Sequence, residues 1–167
     1  MKYLILLITV FSILNAQHPG DIEVRRGADA FYNYEYERSV KVLNSARKEY
    51  PGHPGVHVAW VAAKWRSDES TLLKREVYKN FESNLDDIEL VYDSLLSENP
   101  SDPDYLLYYG TTKGLKARIL LGQKKWIPTL ISAYRGFRIV QKVEQMDSTL
   151  LDLYLPIGIV EYYAGMS

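Results

Sequence analysis

Two histidines four residues apart are the first residues whose type and spacing could do chemistry in this chain. His53 and His57 would present both imidazoles to one metal ion if the segment between them were helical. Pro54 and Gly55 lie between them and predict a turn, so we interpret the pair as surface-turn residues. The sequence suggests no partner for His18, and it contains no H-E-x-x-H motif.

A carboxylate cluster, Asp86, Asp87 and Glu89, is the second candidate for acid-base chemistry or calcium binding. Neighbouring residues on a helix point in different directions, and the D-x-[DN]-x-[DN]-G loop of calcium sites is absent, so we interpret this cluster as a solvated helix face. The chain also lacks cysteine, a G-x-S-x-G turn and a glycine-rich phosphate loop. The sequence therefore predicts a protein that is not an enzyme and needs no metal or cofactor.

The composition fits one globular domain without an excess of charge. The chain has 167 residues, of which 47% are hydrophobic, so it can bury a core. Lys and Arg together number 20 against 21 Asp and Glu, which leaves a formal net charge of -1. Such a balance creates no basic field for DNA or RNA, so we expect no nucleic-acid partner.

The N-terminus has the layout of a secretory signal peptide. Lys2 precedes an apolar run that ends at Ala16, a small residue suited to cleavage, so residues 1–16 are predicted to be removed. A retained membrane anchor is the alternative, but the run is shorter than the ~20 apolar residues that a spanning helix needs. We expect an exported protein without a membrane span after cleavage, periplasmic in a Gram-negative bacterium and otherwise secreted.

The rest of the chain has the periodicity of helices. Long segments nearly free of Gly and Pro lie between clear turn signals, and apolar residues recur within them at three- and four-residue steps. The sequence therefore predicts an all-α fold. The expected helix pairs are 20–34 with 36–50, 54–66 with 70–98, and 103–121 with 124–146, followed by a single helix at about 149–165.

The order of small and large residues in the first pair resembles the tetratricopeptide repeat. Gly27 is followed by Ser39, Leu43 and Ala46, and Pro51 ends the segment. This order is similar to the W-x2-L-G-x2-Y, A-x3-F, P pattern of that repeat. Small residues let two helices approach closely, and proline ends the second helix because it has no N–H to donate.

Parts of the same pattern return later in the chain. Gly110 and Gly158 each follow the aromatic and aliphatic residues typical of a first helix, and Trp126 is predicted to be a core residue at the start of the helix paired with that of Gly110. Gly110 and Gly158 are 48 residues apart, against about 34 in the standard unit. The repeat is thus divergent, and its last unit has only a first helix, which is either an unusual cap or the end of a fragment of a longer array.

The resemblance implies that residues 17–167 form antiparallel helix-turn-helix pairs stacked as an α-solenoid that binds a protein or peptide in a concave groove. The alternative is an exported component that holds a small organic molecule or glycan for transport or uptake. An open groove favours the first function, and an enclosed apolar pocket favours the second. The residues expected to face the groove are Tyr32, Leu107, Tyr108, Thr111, Ile159 and Tyr162.

Overall fold

A computed structural model describes residues 18–154 and 157–158 of the chain, and all regular structure within them is helical. This confirms the all-α prediction. The long helices are α1 (Asp21–Tyr32), α2 (Tyr36–Glu49), α3 (Val56–Glu69), α4 (Lys74–Glu98), α5 (Pro103–Gly122) and α6 (Trp126–Met146), followed by a short 3-10 helix at Leu151–Leu153. The predicted signal peptide and most of the predicted last helix, including Ile159 and Tyr162, lie outside the described residues; Gly158 is helical.

The chain divides into two compact units, Met1–Ser67 and Asp68–Ser167. The first contains α1, α2 and most of α3, and the second contains the end of α3 and all of α4 to α6. The predicted pairing of α3 with α4 crosses this division and stays a prediction. Among the described residues, no helix has the length and apolar character needed to cross a bilayer.

In the first unit, α1 and α2 form a hairpin closed around Gly27. A methyl group added at Gly27 would overlap the side chain of Leu43, which is fully buried. The hydroxyl of Ser39 donates a hydrogen bond of 2.8 Å to the Gly27 carbonyl, and Ala46 is also buried. Helix α2 ends at Glu49, and Pro51 lies in the turn that follows. The small residues of this segment therefore lie where the two helices approach most closely.

In the second unit, α5 packs against both α4 and α6. Helix α5 begins where Pro103 supplies a favourable first residue and the Asp102 carboxylate accepts a 2.9 Å hydrogen bond from the Tyr105 N–H. The backbones of α5 and α6 approach closely at Gly136. A Cβ added at this position would lie only 2.8 Å from the carbonyl oxygen of Gly110. One buried hydrophobic cluster of this unit consists of Leu106, Leu107, Val140, Val143 and Leu153.

The two hairpin turns have the same backbone geometry although their sequences differ. Tyr34 follows α1 and Lys124 follows α5, and both adopt left-handed φ angles, 64° and 61°. In each turn, the left-handed residue donates to the carbonyl three positions earlier, and the next residue donates to the carbonyl five positions earlier. These two bonds define a Schellman motif, which satisfies carbonyl groups that a helix end would otherwise leave unpaired.

Candidate functional site

An open cleft of about 400 Å³ lies in the second unit, with residues of α4, α5 and α6 around it. Because α4 and α6 each pack on α5, α5 forms the floor of this cleft and the other two helices form its walls. Its lining combines charged residues with an apolar wall: Glu89, Lys113, Lys116, Leu120, Pro128, Ile131, Ser132 and Arg135. We call it the α4–α6 groove.

A compact ionic cluster joins α4 to α5 in the groove. Oε2 of Glu89 accepts from two ammonium groups, with Nζ of Lys113 at 2.7 Å and Nζ of Lys116 at 3.5 Å. Lys116 also reaches Oδ1 of Asp86 at 2.5 Å. Burial lowers the pKa of Lys116, but its bonds to Asp86 and the charge of Glu89 outweigh this and raise the pKa overall. The expectation of a solvated carboxylate face is therefore wrong for Glu89, which is mostly buried between two lysines.

Tyr109 continues this cluster toward the other end of α5. Burial, a hydrogen bond to Asp93 and the charges of Asp93 and Glu89 together raise the pKa of Tyr109 to about 12. The ammonium of Lys113 lies 4.8 Å from the centre of the Tyr109 ring, within cation–π distance. Tyr109 is therefore protonated at neutral pH and acts as a hydrogen-bond donor to a carboxylate, not as a base.

Arg135 differs from the two lysines of the groove in its charge pairing. Lys113 and Lys116 are matched by Glu89 and Asp86, whereas the part of the chain that the structure describes holds no ion pair to Arg135. When Asp86 is counted with the described lining residues, the α4–α6 groove carries one net positive charge. That charge is the guanidinium of Arg135 on α6. A carboxylate or phosphate could bind there without displacing an existing ion pair.

Helix α6 also exposes a continuous row of large apolar residues. We call this row the apolar stripe: Trp126, Ile127, Leu130, Ile131 and Tyr134, which are between 48% and 73% exposed. Single exposed apolar residues are ordinary, but a contiguous patch of this kind marks contact surfaces in soluble proteins. Ile131 also lines the α4–α6 groove, so the stripe and the groove form one surface.

The prediction that Trp126 is a core residue is wrong, because Trp126 is 63% exposed. Trp126 does begin α6, as the turn signals indicated. The reason lies in the other face of the helix, where Ser132, Gly136 and Val140 pack on α5. The small side chains on that face allow close approach of the backbones, and this turns the large aromatic residue toward solvent.

Replacing Trp126 with alanine is expected to change the free energy of unfolding by no more than about 0.5 kcal/mol, as surface substitutions do. Chemical denaturation of Trp126→Ala beside the wild type measures this. Val140→Ala is the matched control from the buried face of the same helix and should be clearly destabilised. A loss of more than about 2 kcal/mol in Trp126→Ala would mean that this residue is packed after all.

The predicted groove residues are distributed over both units of the chain. Tyr32 is exposed in the first unit, whereas the described remainder belongs to the second. Leu107 is buried in the core, so its prediction as a contact residue is wrong. The Tyr108 hydroxyl donates a hydrogen bond to the Asp152 carboxylate. The Thr111 hydroxyl donates a hydrogen bond of 2.9 Å to the carbonyl of Leu107, one turn earlier on α5.

His53 and His57 are buried, which corrects their interpretation as surface-turn residues. His57 lies in the first turn of α3, where Nε2 donates to the Pro51 carbonyl at 2.8 Å and Nδ1 accepts from Nε of Arg47 at 3.3 Å. His53 accepts the Gly55 N–H at Nδ1 and donates from Nε2 to Asp21 at 2.9 Å. Both rings therefore stabilise the Pro51–Gly55 turn through hydrogen bonds to its backbone. The described residues include no group of three or more potential metal ligands.

The buried His57 predicts a loss of stability in acid. Burial lowers the pKa of His57 in the folded protein and outweighs the opposing effect of the hydrogen bond to the Pro51 carbonyl, while the positive charge of Arg47 adds a smaller lowering effect. The unfolded chain takes up this proton first as the pH falls below ~6.5. The contribution of neutral His57 is therefore present above this pH and is lost as the pH falls toward the pKa of the folded state.

Urea unfolding at pH 7.5 and pH 5.5 tests this expectation. We expect the free energy of unfolding of the wild type to fall between the two conditions by more than that of His57→Gln. Glutamine is the suitable replacement because its amide can still donate to Pro51 and accept from Arg47. The same pH dependence in both proteins would contradict the assignment.

Comparisons of the chain with protein-family models, with curated proteins and with solved structures found no match.

Proposed function

We propose that this chain is an exported, non-catalytic helical-repeat scaffold that binds a protein or peptide. The observation that carries the proposal is the apolar stripe of α6, where Trp126, Ile127, Leu130, Ile131 and Tyr134 are all exposed. Tryptophan and tyrosine dominate the binding energy of many protein interfaces because each places a large rigid area against a partner.

The repeated hairpin supports the helical-repeat part of the proposal. The α1–α2 and α5–α6 hairpins share the Schellman turn and a close helix contact at a glycine, Gly27 in one and Gly136 in the other. A tetratricopeptide-like array stacks such hairpins so that each buries its apolar face against a neighbour. We place the binding surface on α6 and the α4–α6 groove in preference to the first helices of the pairs, because Leu107 on α5 is buried.

The shape of this surface favours a protein partner over a small organic molecule. The stripe is a row of exposed side chains along one helix, and the groove beside it is open to solvent. Small molecules are commonly bound in concave sites that enclose most of their surface. A partner helix or extended peptide, by contrast, can cover the stripe and place one side chain in the groove.

Site-specific photo-crosslinking in the native host tests the proposal. A photoreactive amino acid at Leu130, within the stripe, should give protein adducts under ultraviolet light. The matched control is Ile22, an exposed apolar residue on α1 that lies outside the proposed surface. Absence of a protein adduct at Leu130, or equal labelling at Ile22, would contradict the proposed surface.

Export is tested independently of binding. The mature protein isolated from its host is expected to begin near Gln17 if residues 1–16 form a cleaved signal peptide. Mass spectrometry of the N-terminal peptide measures this directly, and an intact Met1 would refute cleavage.

A further inference from the structure

The segment that carries the apolar stripe has an unusual charge distribution. Between Leu120 and Val143 the sequence contains five basic residues and no acidic residue, in a chain whose overall net charge is -1. The five are Lys124, Lys125, Arg135, Arg138 and Lys142. The surface proposed for binding is therefore both apolar and basic.

Three of these cations form an edge beside the stripe. At 3.6 residues per turn, Arg135, Arg138 and Lys142 fall within a sector of about 60° on α6. Ile131 lies in the same sector and belongs to the stripe, so the basic edge and the apolar stripe adjoin. Arg135 also lines the α4–α6 groove, which places the edge on the side of α6 that faces α4.

This basic edge is not neutralised by the described part of the chain. Arg138 donates to the Gln141 side chain at 3.4 Å, an uncharged partner. Neither Arg135 nor Lys142 has an ion pair within residues 18–154 and 157–158, whereas Lys125 lies 3.6 Å from Glu82. Uncompensated charge at a surface steers a partner of opposite charge toward it and selects against partners of the same charge.

We propose that the partner segment is an amphipathic α-helix with an acidic edge. Its apolar face would lie along the stripe of α6, and its Asp or Glu side chains would pair with Arg135, Arg138 and Lys142. A guanidinium is well suited to this role, since it binds a carboxylate through two parallel hydrogen bonds. The inference rests on the proposed function and specifies the chemistry of the partner.

The opposite wall of the groove favours such a helix over an anionic membrane. Helix α4 exposes Asp86 and Asp93 on the same face as Glu89, and Asp86 already pairs with Lys116. A bilayer presents negative charge to both walls and would be repelled by these carboxylates. A helix that is acidic along only one edge can direct that edge to α6 and keep it away from α4.

Two synthetic helical peptides provide the test. Both have the same apolar face and length, and one has glutamates along the edge where the other has lysines. Fluorescence anisotropy of the labelled peptides measures their affinity for the mature protein at low salt. We expect the acidic peptide to bind at least about tenfold more tightly than the basic one, and to weaken as salt is added.

Charge reversal then locates the contact. Arg135→Glu/Arg138→Glu should lower the affinity for the acidic peptide by at least about tenfold and raise that for the basic peptide. Arg25→Glu/Arg26→Glu changes the net charge equally at two exposed arginines of α1 and should leave both affinities unchanged. Circular dichroism of each variant confirms that it is folded before the affinities are compared.

Several results would overturn the inference: equal affinity for the two peptides, no binding of the acidic peptide at about 1 mM, or equal effects of the two charge reversals. Cosedimentation with phosphatidylglycerol vesicles that is lost in Arg135→Glu/Arg138→Glu would assign the surface to a membrane instead. A protein crosslinked at Leu130 through a segment without acidic residues would keep the proposed function and reject only the acidic helix.

Discussion

Gly136→Ala is expected to destabilise the second unit by about 1–3 kcal/mol, even though alanine is the better helix former. The new methyl group would lie 2.8 Å from the carbonyl oxygen of Gly110 and 3.1 Å from the amide nitrogen of Gly114. Both are backbone atoms, so a rotamer change cannot relieve the overlap. The helices would have to move apart, and the buried contacts between α5 and α6 would weaken.

Gly114→Ala is the matched control for this prediction, because it makes the same chemical change on the facing helix. A methyl group at Gly114 meets no atom within 4 Å, so this variant should be stabilised by up to about 1 kcal/mol through helix propensity alone. Urea denaturation of both variants measures the two effects. Stabilisation by Gly136→Ala would show that the close approach of α5 and α6 is not present in solution.

Leu43→Ala is expected to lower the free energy of unfolding by about 2–5 kcal/mol, because Leu43 is fully buried in the first unit and its loss leaves a cavity.

Gly27, which faces Leu43 in the α1–α2 hairpin, gives a sharper test. Gly27→Ala alone should destabilise the protein, since the added methyl group overlaps the Leu43 side chain. In the Leu43→Ala background that overlap is gone, and Gly27→Ala should then stabilise by up to about 1 kcal/mol.

A double-mutant cycle from equilibrium unfolding measures this coupling. The expected signature is a change in the sign of the Gly27→Ala effect between the two backgrounds. Additive effects of the two substitutions would mean that Gly27 and Leu43 do not meet, and the packing of the first hairpin would need revision.

Much of the helical architecture could be predicted from local sequence signals. Turn residues and apolar periodicity placed the long helices close to their observed bounds, because these signals act within a few residues. The same periodicity predicted the wrong buried face for α6. Trp126, Leu130 and Tyr134 do lie along one side of the helix, but the buried side contains Ser132, Gly136 and Val140. Hydrophobicity alone identifies the apolar face of α6, but the close packing of small residues on the opposite face determines which face is buried.

The candidate site depended on contacts that sequence spacing alone does not reveal. Asp86 and Glu89 are three residues apart on α4, and Lys113 and Lys116 are three apart on α5, so each pair shares a helix face. Two such pairs of opposite charge on successive helices are a usable signal for an ionic cluster. Taken alone, the carboxylates predict a solvated helix face, because the lysines that meet them in the folded chain lie on the next helix.

The two histidines show a similar limit. Pro54 and Gly55 correctly predicted a turn, but a turn does not have to be exposed. His53 and His57 occupy buried positions in which each ring nitrogen has a polar partner, and such pairing offsets the cost of burying a polar group. Because two of those partners, Asp21 and Arg47, come from other segments, the burial could not be derived from the turn itself.

The left-handed residues of the two Schellman turns have a consequence for comparison and engineering. Tyr34 and Lys124 hold a backbone conformation that costs most residues roughly 1–2 kcal/mol relative to glycine, and their local sequences share almost nothing. Alignment of residue types would score the two loops as unrelated, although their hydrogen bonds superimpose donor for donor. The likeness of the two loops is therefore recorded in main-chain geometry alone, and glycine at both positions offers a reserve of thermal stability that leaves each loop's path unchanged.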